Sequence, residues 1–218
     1  MQKLKKIIGR HFYRGGIFHP TSNYSRGLER YRDVAGRKIV NVGSGGYDPV
    51  PGAINVDPYR MGPNTLKAFG ENLPFADASV DVVFNGGLLE HVKEPQKIVD
   101  EAWRVLKPGG ELYMEIPFLQ PYHEAPGDYQ RWTISGVRHL CRNFQELEIG
   151  IANGPGSAIA WILVEYAQMW PKSKLFKQIM KNLAKIAVSP LKYLDRFLLR
   201  RPEALNAAMG IYFLGRKP

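Results

Sequence analysis

Between Lys38 and Asp57 the chain reads as an apolar run, four small residues, a short loop, a second apolar run and an acid. Ile39-Val40-Asn41-Val42 is apolar enough for a strand buried on both faces, as parallel strands are. Gly43-Ser44-Gly45-Gly46 follows at its carboxyl end, where glycine lets backbone approach a ligand closely. Ala53-Ile54-Asn55-Val56 forms a second short strand ending on Asp57, placed to accept hydrogen bonds from both hydroxyls of a ribose. The segment therefore predicts an α/β sheet that binds a nucleoside.

The spacing narrows the ligand. A dinucleotide site asks for G-x-G-x-x-G opening a helix that faces the pyrophosphate. Here Asp48 stands at the third glycine position, and only 14 residues separate Gly43 from Asp57. The dinucleotide pattern needs roughly 20 with a full helix between, and Pro49, Pro51 and Gly52 leave no room for one. NAD and FAD are disfavoured. A ligand with a ribose and an adenine but no pyrophosphate, such as S-adenosyl-L-methionine (SAM), fits better.

Two further stretches carry a resemblance. Glu71-Asn72-Leu73-Pro74-Phe75-Ala76-Asp77-Ala78-Ser79-Val80-Asp81 leads into Leu88-Leu89-Glu90-His91-Val92. Glu101-Ala102-Trp103-Arg104-Val105-Leu106-Lys107-Pro108-Gly109-Gly110 follows. Across about residues 38–118 the chain resembles the class I SAM-dependent methyltransferases. The resemblance implies a Rossmann-like, mostly parallel seven-stranded sheet, here with a shortened first β-α unit and an added C-terminal helical layer. Pro117 to His123, Asp128 to Thr133 and the closing Gly210–Lys217 resemble a subgroup associated with polysaccharide and glycolipid biosynthesis. That implies transfer of a methyl group to a small or lipid-linked acceptor, with a saccharide hydroxyl foremost.

The resemblance also implies site residues. Asn41, Gly43, Ser44 and Gly45 would lie under the methionine and ribose of SAM, and Asp57 would hold the ribose, unless it serves as a structural cap. The family often places an Asp just upstream of Leu73-Pro74-Phe75. Here Phe69 stands there, so Phe69 is expected to stack on the adenine while Gly70 and Glu71 offer backbone contacts. Asn85 and Gly86 end the strand where the family holds the methionine end; a plain turn is the alternative for Asn85. Glu90 and His91 are an acid–imidazole pair of the kind that begins a metal site. No further ligand lies near them in sequence, so no metal is expected, and His91 is assigned to packing and hydrogen bonding beside the cofactor.

In open α/β sheets ligands bind beyond the carboxyl ends of the strands, which makes the loop at 117–133 the catalytic ground. The sulfonium is already an activated donor, so the protein must align acceptor, methyl and sulfur, and remove a proton from a hydroxyl acceptor. Imidazole suits that transfer, making His123 the first candidate base, against a role holding loop backbone. Arg131 would clamp an anionic acceptor, or pair with Asp128. Tyr129 and Trp132 suit a sugar face or packing of the loop.

Charge is unevenly spread. Residues 1–40 carry ten Lys/Arg and two Asp/Glu, residues 171–218 eleven and two, and residues 41–170 nine and sixteen, within a total of +10. Two basic ends bracket an acidic middle, which suggests an anionic partner such as a membrane surface, unless the charges only solvate helix faces. Four parts are expected: a basic helical and loop segment at 1–37, the SAM-binding domain at 38–150, a helical insertion at 151–209 and a final strand at 210–218. Within the insertion, Leu175, Phe176, Ile179, Met180, Leu183, Ile186 and Ala187 fill one helical face and Lys174, Lys177, Lys181 and Lys185 the other. Such a helix packs on its own core or lies on an anionic membrane. The single Cys141, no credible secretory leader and no run of about 20 apolar residues point to the cytoplasm, peripheral at a membrane if the basic helix binds lipid. Nucleic acid is disfavoured as a substrate. Asn85-Gly86-Gly87-Leu88 is not the Asn/Asp-Pro-Pro-aromatic motif of amino methylation, and Cys141 falls in a helix beyond the pocket. A SAM-binding scaffold without turnover is the remaining alternative, and oligomeric state is open.

Overall fold

A computed structural model describes residues 17–21, 29–31, 36–48, 50, 52–124 and 126–218. The basic segment expected at 1–37 falls mostly outside them. Seven strands form one sheet: β1 (Ile39–Val42), β2 (Ile54–Val56), β3 (Thr65–Leu66), β4 (Val80–Gly86), β5 (Leu106–Pro117), β6 (Gln145–Asn153) and β7 (Gly210–Arg216). Their order is β3-β2-β1-β4-β5-β7-β6. β1 to β5 pair in parallel, and β6 and β7 add an antiparallel edge. The fold is thus the mostly parallel α/β sheet that the strand pattern implies. The helices are α1 (Pro95–Val105), α2 (Ile134–Leu140), α3 (Pro155–Ala167), α4 (Lys174–Val188) and α5 (Leu191–Leu198).

The chain divides into two units. One comprises residues 25–118, 123–150 and 211–218; the other comprises 1–24, 119–122 and 151–210. In the first, Val40, Val42, Val83, Leu112 and Met114 of the central strands pack with Ile98, Ala102 and Val105 of α1 in one buried core. β4 lies between β1 and β5, with Val42 opposite Asn85 and Asn85 opposite Met114. The chain therefore leaves β1 and β4 at the same edge, the one where parallel sheets take their ligands. Lys107-Pro108-Gly109-Gly110, a turn by composition, lies inside β5. Gly109 takes φ +78°, and the backbone pairs on either side of it, with Val80 at Leu106 and with Lys217 at Gly109 and Gly110.

The Leu73–Asp77 and Arg104 motifs meet in a clasp. The Arg104 guanidinium donates to Leu73 O (3.2 Å), Phe75 O (3.0 Å), Asp77 Oδ1 (2.5 Å) and Glu101 Oε1 (2.7 Å). Glu101 Oε1 in turn accepts from the Leu73 N–H (2.7 Å). A planar fork with several fixed donors can tie a loop and a helix together in this way, and lysine could not. Much of the family resemblance therefore marks a structural tie across the loop rather than a ligand contact.

Glu111, buried on β5, gathers four partners. Arg30, Arg37 and the hydroxyl of buried Tyr31 donate to it at 3.2, 3.2 and 3.0 Å, and Arg216 lies 3.9 Å away. Burial works to raise the carboxyl's pKa, but the hydrogen bonds from Arg37, Arg30 and Tyr31 outweigh it and hold it below the ordinary range. Tyr31 also meets Phe84 and Tyr113 edge-on, and Tyr113 stacks on Phe84 and Tyr212.

In the second unit, α3 packs against α4 and α5. Gly154 and Pro155 start α3, and Asp195 of α5 supplies the missing cap. Its carboxylate accepts from the Gly156 N–H (2.7 Å), the Ser157 N–H (3.1 Å) and the Ser157 hydroxyl (2.8 Å). An anion against the unpaired N–H groups of a helix start is favourable. Glycine is required at position 156, where a Cβ would lie 2.1 Å from Leu191 O. α4 buries none of its residues. Its apolar face is open to water, with Leu175 69% and Phe176 61% exposed, while Lys181 and Lys185 on the other face are half-buried.

Glu111→Gln is expected to destabilise the protein by about 1–3 kcal/mol at pH 7, the scale for losing hydrogen bonds to a charged group. The folded pKa of Glu111 is depressed, so its contribution is complete above the unfolded value and fades as pH falls through the folded one. Urea denaturation of the two proteins should give midpoints that differ at pH 7 and converge in acid.

Candidate active site

At the carboxyl end of β1 the chain turns on Gly43, which takes φ +73°. A Cβ there would lie 2.8–2.9 Å from the Leu88 side chain, so both conformation and space demand glycine. The N–H groups of Gly43 and Ser44 donate to Val56 O at 2.9 and 3.2 Å. That of Gly45 donates to Asp57 Oδ2 at 2.7 Å. Asp57 also accepts from Tyr59 (2.9 Å) and Arg60 (2.7 Å). Three backbone donors thus use most of its roughly four lone-pair positions. Asp57 is both cap and tie for the glycine loop, with one position left for a ribose hydroxyl.

The other expected cofactor residues differ in their surroundings. Asn41 is buried, and its amide donates to Asn55 Oδ1 at 2.8 Å, which commits it to the β1–β2 ladder. Phe69 is 55% exposed and meets the exposed Tyr59 edge-on, with centroids 6.0 Å apart, so two aromatic rings stand beyond the ends of β2 and β3. Gly70 packs so closely that a Cβ would strike Ile98 Cδ1 at 2.7 Å and Val42 Cγ1 at 2.9 Å; Glu71 beside it is exposed. Asn85 is 1% exposed. Its Nδ2 donates to Val42 O at 3.3 Å, whereas its buried Oδ1 has no hydrogen-bond partner. Such an acceptor, between the ends of β1 and β4 and next to exposed Gly86, is suited to an ammonium donor. An orphan of this kind calls for an explanation.

Beyond β4 the structure assembles a cluster that sequence spacing could not show. A short 3₁₀ turn at Leu89–His91 presents Glu90 and His91, and the loop after β5 brings His123 to them. Glu90 Oε1 lies 3.8 Å from His91 Nε2 and 4.0 Å from His123 Nε2. One ligand atom from each of the three lies within 4.8 Å of the others, and the two rings meet edge-on, 5.0 Å between centroids. Glu90 is buried, its side chain 3% exposed, and its Oε2 has no hydrogen-bond partner. Burial pushes its carboxyl above the ordinary range, against the opposing pull of its own backbone N–H, His91 and Arg131.

Backbone and carboxylate contacts orient both rings. His91 Nδ1 is 2.6 Å from Gly127 O; because a carbonyl only accepts, Nδ1 carries the proton. The His123 N–H donates to Asp128 Oδ2 at 2.7 Å, and its Nδ1 is 3.6 Å from the same oxygen. The loop is anchored to the 3₁₀ turn by the Tyr129 N–H, which donates to Glu90 O at 2.7 Å.

Arg131 makes the pair rather than an open clamp. It grips Asp128 through two bonds of 2.5 and 2.7 Å and also donates to Gln130 O at 2.8 Å. This bidentate bond, chiefly, holds the Asp128 carboxyl down at about 2. Arg131 therefore acts on His123 through Asp128. Tyr129 is 52% exposed, its ring lying over Gly127, while Trp132 is buried in the core. Cys141 is buried and its thiol is pushed up to about 12 by burial alone, so it supplies no thiolate nucleophile. Sequence reasoning gave no site role to Glu90 and gave Asp128 only that of a partner for Arg131. Their sequence signals were slight: an acid beside His91, and an Asp three residues before Arg131.

Comparison with known proteins bears on the fold that carries this site. Residues 44–114 match the family model described as a methyltransferase domain. A relative in Mycobacterium tuberculosis (strain ATCC 25177 / H37Ra), named only as an uncharacterized methyltransferase, is 37% identical over 157 residues, 62% of this chain and 61% of its own. The chain thus spans less than two thirds of the length of the curated relatives it matches. Among solved structures, the [4+2]-cyclase SpnF shares the fold with a TM-score of 0.57 at 16% identity, over 99% of this chain and 93% of its own. A Haemonchus contortus phospholethanolamine N-methyltransferase, solved with S-adenosylhomocysteine, shares it with a TM-score of 0.51 at 16% identity, over 88% and 51%. The chain is therefore similar to the class I SAM-dependent methyltransferases, through a methyltransferase-domain match at residues 44–114 and a shared fold, and S-adenosyl-L-methionine is the cofactor that this similarity supports.

Proposed function

We propose that the protein transfers the methyl group of SAM to a hydroxyl of a small or lipid-linked acceptor, foremost a saccharide. The observation that carries this reading is the convergence of Glu90, His91 and His123 beyond the end of β4. An amine can attack a sulfonium with its own lone pair, but a hydroxyl must first shed a proton, and this cluster is built of proton acceptors. In the step, the acceptor oxygen forms a bond to the methyl carbon and the carbon–sulfur bond breaks. Its electron pair stays on sulfur to give S-adenosylhomocysteine, and the hydroxyl proton passes to the cluster and on to water. His123, 26% exposed, is the member open to an acceptor. Asp128, held by Arg131, positions it. Exposed Tyr129 offers a flat ring for a sugar face.

SAM itself is assigned to Gly43, Ser44 and Gly45, with Asp57 on the ribose, Phe69 against the adenine, and Asn85 Oδ1 accepting from the methionine ammonium. Asp57→Ala removes the ribose hydrogen bond to a charged acceptor, worth about 1.5–3 kcal/mol. Calorimetry should read SAM binding at least tenfold weaker; unchanged affinity overturns the ribose assignment. His123→Ala should bind SAM normally yet lose about 10²–10⁴-fold in turnover, the range for a group that handles the proton. The assay is transfer of labelled methyl to a panel of free and lipid-linked sugars. A chain that binds SAM and transfers methyl to none of them would favour a SAM-binding protein without turnover. That alternative has a precedent in fold alone, in the [4+2]-cyclase.

The exposed apolar face of α4 supports a membrane-surface location. Leu175, Phe176, Ile179 and Leu183 are each more than 40% exposed, as are Tyr166 and Trp170 of α3 and the turn after it, and Lys174 and Lys177 at the start of α4 are exposed as well. Lysines near an anionic surface contribute about 1 kcal/mol each, and the apolar side chains would enter the headgroup boundary. Among the described residues no helix is long and apolar enough to cross a membrane. Sedimentation with vesicles should show binding to anionic but not neutral lipid, reversed by salt and by Lys174, Lys177, Lys181 and Lys185→Glu. No sedimentation at low salt rejects it.

A further inference from the structure

We infer that Glu90, His91 and His123 form a binding site for one divalent transition-metal ion. This inference rests on the reading of the cluster as the place where the acceptor loses its proton, and gives that role a different agent.

The argument begins with lone pairs. The Gly127 carbonyl fixes a proton of His91 on Nδ1, so Nε2 is the nitrogen turned to the cluster. It faces Glu90 Oε1 at 3.8 Å. Asp128 lies on the Nδ1 side of His123, which turns Nε2 of that ring toward the same carboxylate oxygen at 4.0 Å. Three side chains of metal-ligating type are thus turned toward one point. A second observation is independent of the cluster. Glu90 Oε2 is buried without a hydrogen-bond partner on a side chain 3% exposed, and a buried polar oxygen left so costs about 1–3 kcal/mol. Coordination removes that cost.

The surroundings fit a metal site. Ligating imidazoles usually hold their second nitrogen to a carbonyl or carboxylate, which sets tautomer and ring angle. His91 has Gly127 O in that place, and His123 has Asp128, itself held by Arg131. Ligand atoms within 4.8 Å of one another place an ion in their plane about 2.8 Å or less from each. Inward movement of roughly half an ångström reaches the 2.0–2.2 Å of zinc–nitrogen and zinc–oxygen bonds. Two imidazoles and one carboxylate suit zinc, cobalt or iron(II) and leave coordination positions open. Magnesium and calcium prefer all-oxygen sets. An open position beside the cofactor loop is where an acceptor hydroxyl would bind, its proton leaving to water because the ion stabilises the alkoxide that attacks the methyl carbon. His123 then serves the acceptor as a ligand.

The test is metal binding, read without any acceptor. The full chain is freed of metal with EDTA and dialysed, then titrated with Zn²⁺ by calorimetry and with Co²⁺ by visible absorption. One ion per chain is expected, displaced neither by Mg²⁺ nor by Ca²⁺. Glu90→Gln and His123→Ala should each abolish it, and Asp128→Asn should weaken it by about 10–100-fold, the range for partners of ligating imidazoles. Because Glu90 is buried, partly exposed His123 is the decisive variant, and SAM binding reports that it has folded. No Zn²⁺ binding by the wild-type chain, or equal binding by His123→Ala, overturns the site and leaves a histidine-based methyltransferase. Zn²⁺ binding lost in His123→Ala upholds the site even if no tested sugar is methylated, an outcome that would count against the acceptor class instead.

Discussion

The parallel pairing of β4 with β1 and β5 is the constraint on which the site depends. Because Val42, Asn85 and Met114 stand in line, the chain leaves β1 and β4 at one edge. This side-by-side exit makes glycine compulsory at Gly43, where Leu88 from the loop after β4 fills the space of a Cβ. Packing at the edge also fixes Gly70 against Val42 and Ile98. The cofactor loop is thus shaped from beneath by the hydrophobic core, and its chemistry cannot be altered without disturbing the strands that carry it.

Electrostatics at this edge runs in tiers. Asp57 is satisfied by three backbone N–H groups and Asp128 by a bidentate arginine and a backbone N–H. Both are anions whose charge is already matched. Glu90 differs: it is buried too, but its Oε2 has no hydrogen-bond partner among the described residues. A structure that satisfies two neighbouring carboxylates so fully has the means to satisfy a third. Leaving one with unmet acceptor capacity concentrates binding free energy there, because an interaction made in a site of low dielectric is stronger than the same one in water.

Much of the fold was legible in the sequence because buried parallel strands are continuous apolar runs and their punctuation is glycine and proline. β1 and β2 could be placed to within a residue on that basis. Position along the chain says little about contacts across it, and there the sequence was mute. His123 lies 32 residues from His91, and only the path of the loop after β5 joins them. Asp57 could be read as cap or ribose ligand, because both roles ask for an acid at a strand end, and here the backbone has claimed most of it. Arg131 is similar: a free clamp and a paired arginine have the same sequence, and the pair wins because Asp128 sits three residues away with matching geometry. Lys107–Gly110 reads as a turn by composition, yet both flanks find strand partners, so hydrogen bonding overrides local preference.

α4 shows the same limit in another form. Periodicity gives the two faces of a helix but not which of them the protein covers. In an ordinary surface helix the apolar stripe meets the core and lysines meet water. Here Leu175, Phe176 and Leu183 meet water, while Lys185 is half-buried near Glu165 and its pKa is lowered, by burial first and then by Lys181. Leaving a large apolar side chain in water forgoes roughly 1.5–3 kcal/mol relative to burying it, and several are left so along one face. Rotation about the helix axis would bury them and free the lysines. The packing of α3 against α4, and the cap that Asp195 places on α3, hold this arrangement against that gain. The exposed face is therefore held outward by the fold itself, and a face so held is stabilised only by something that comes to cover it.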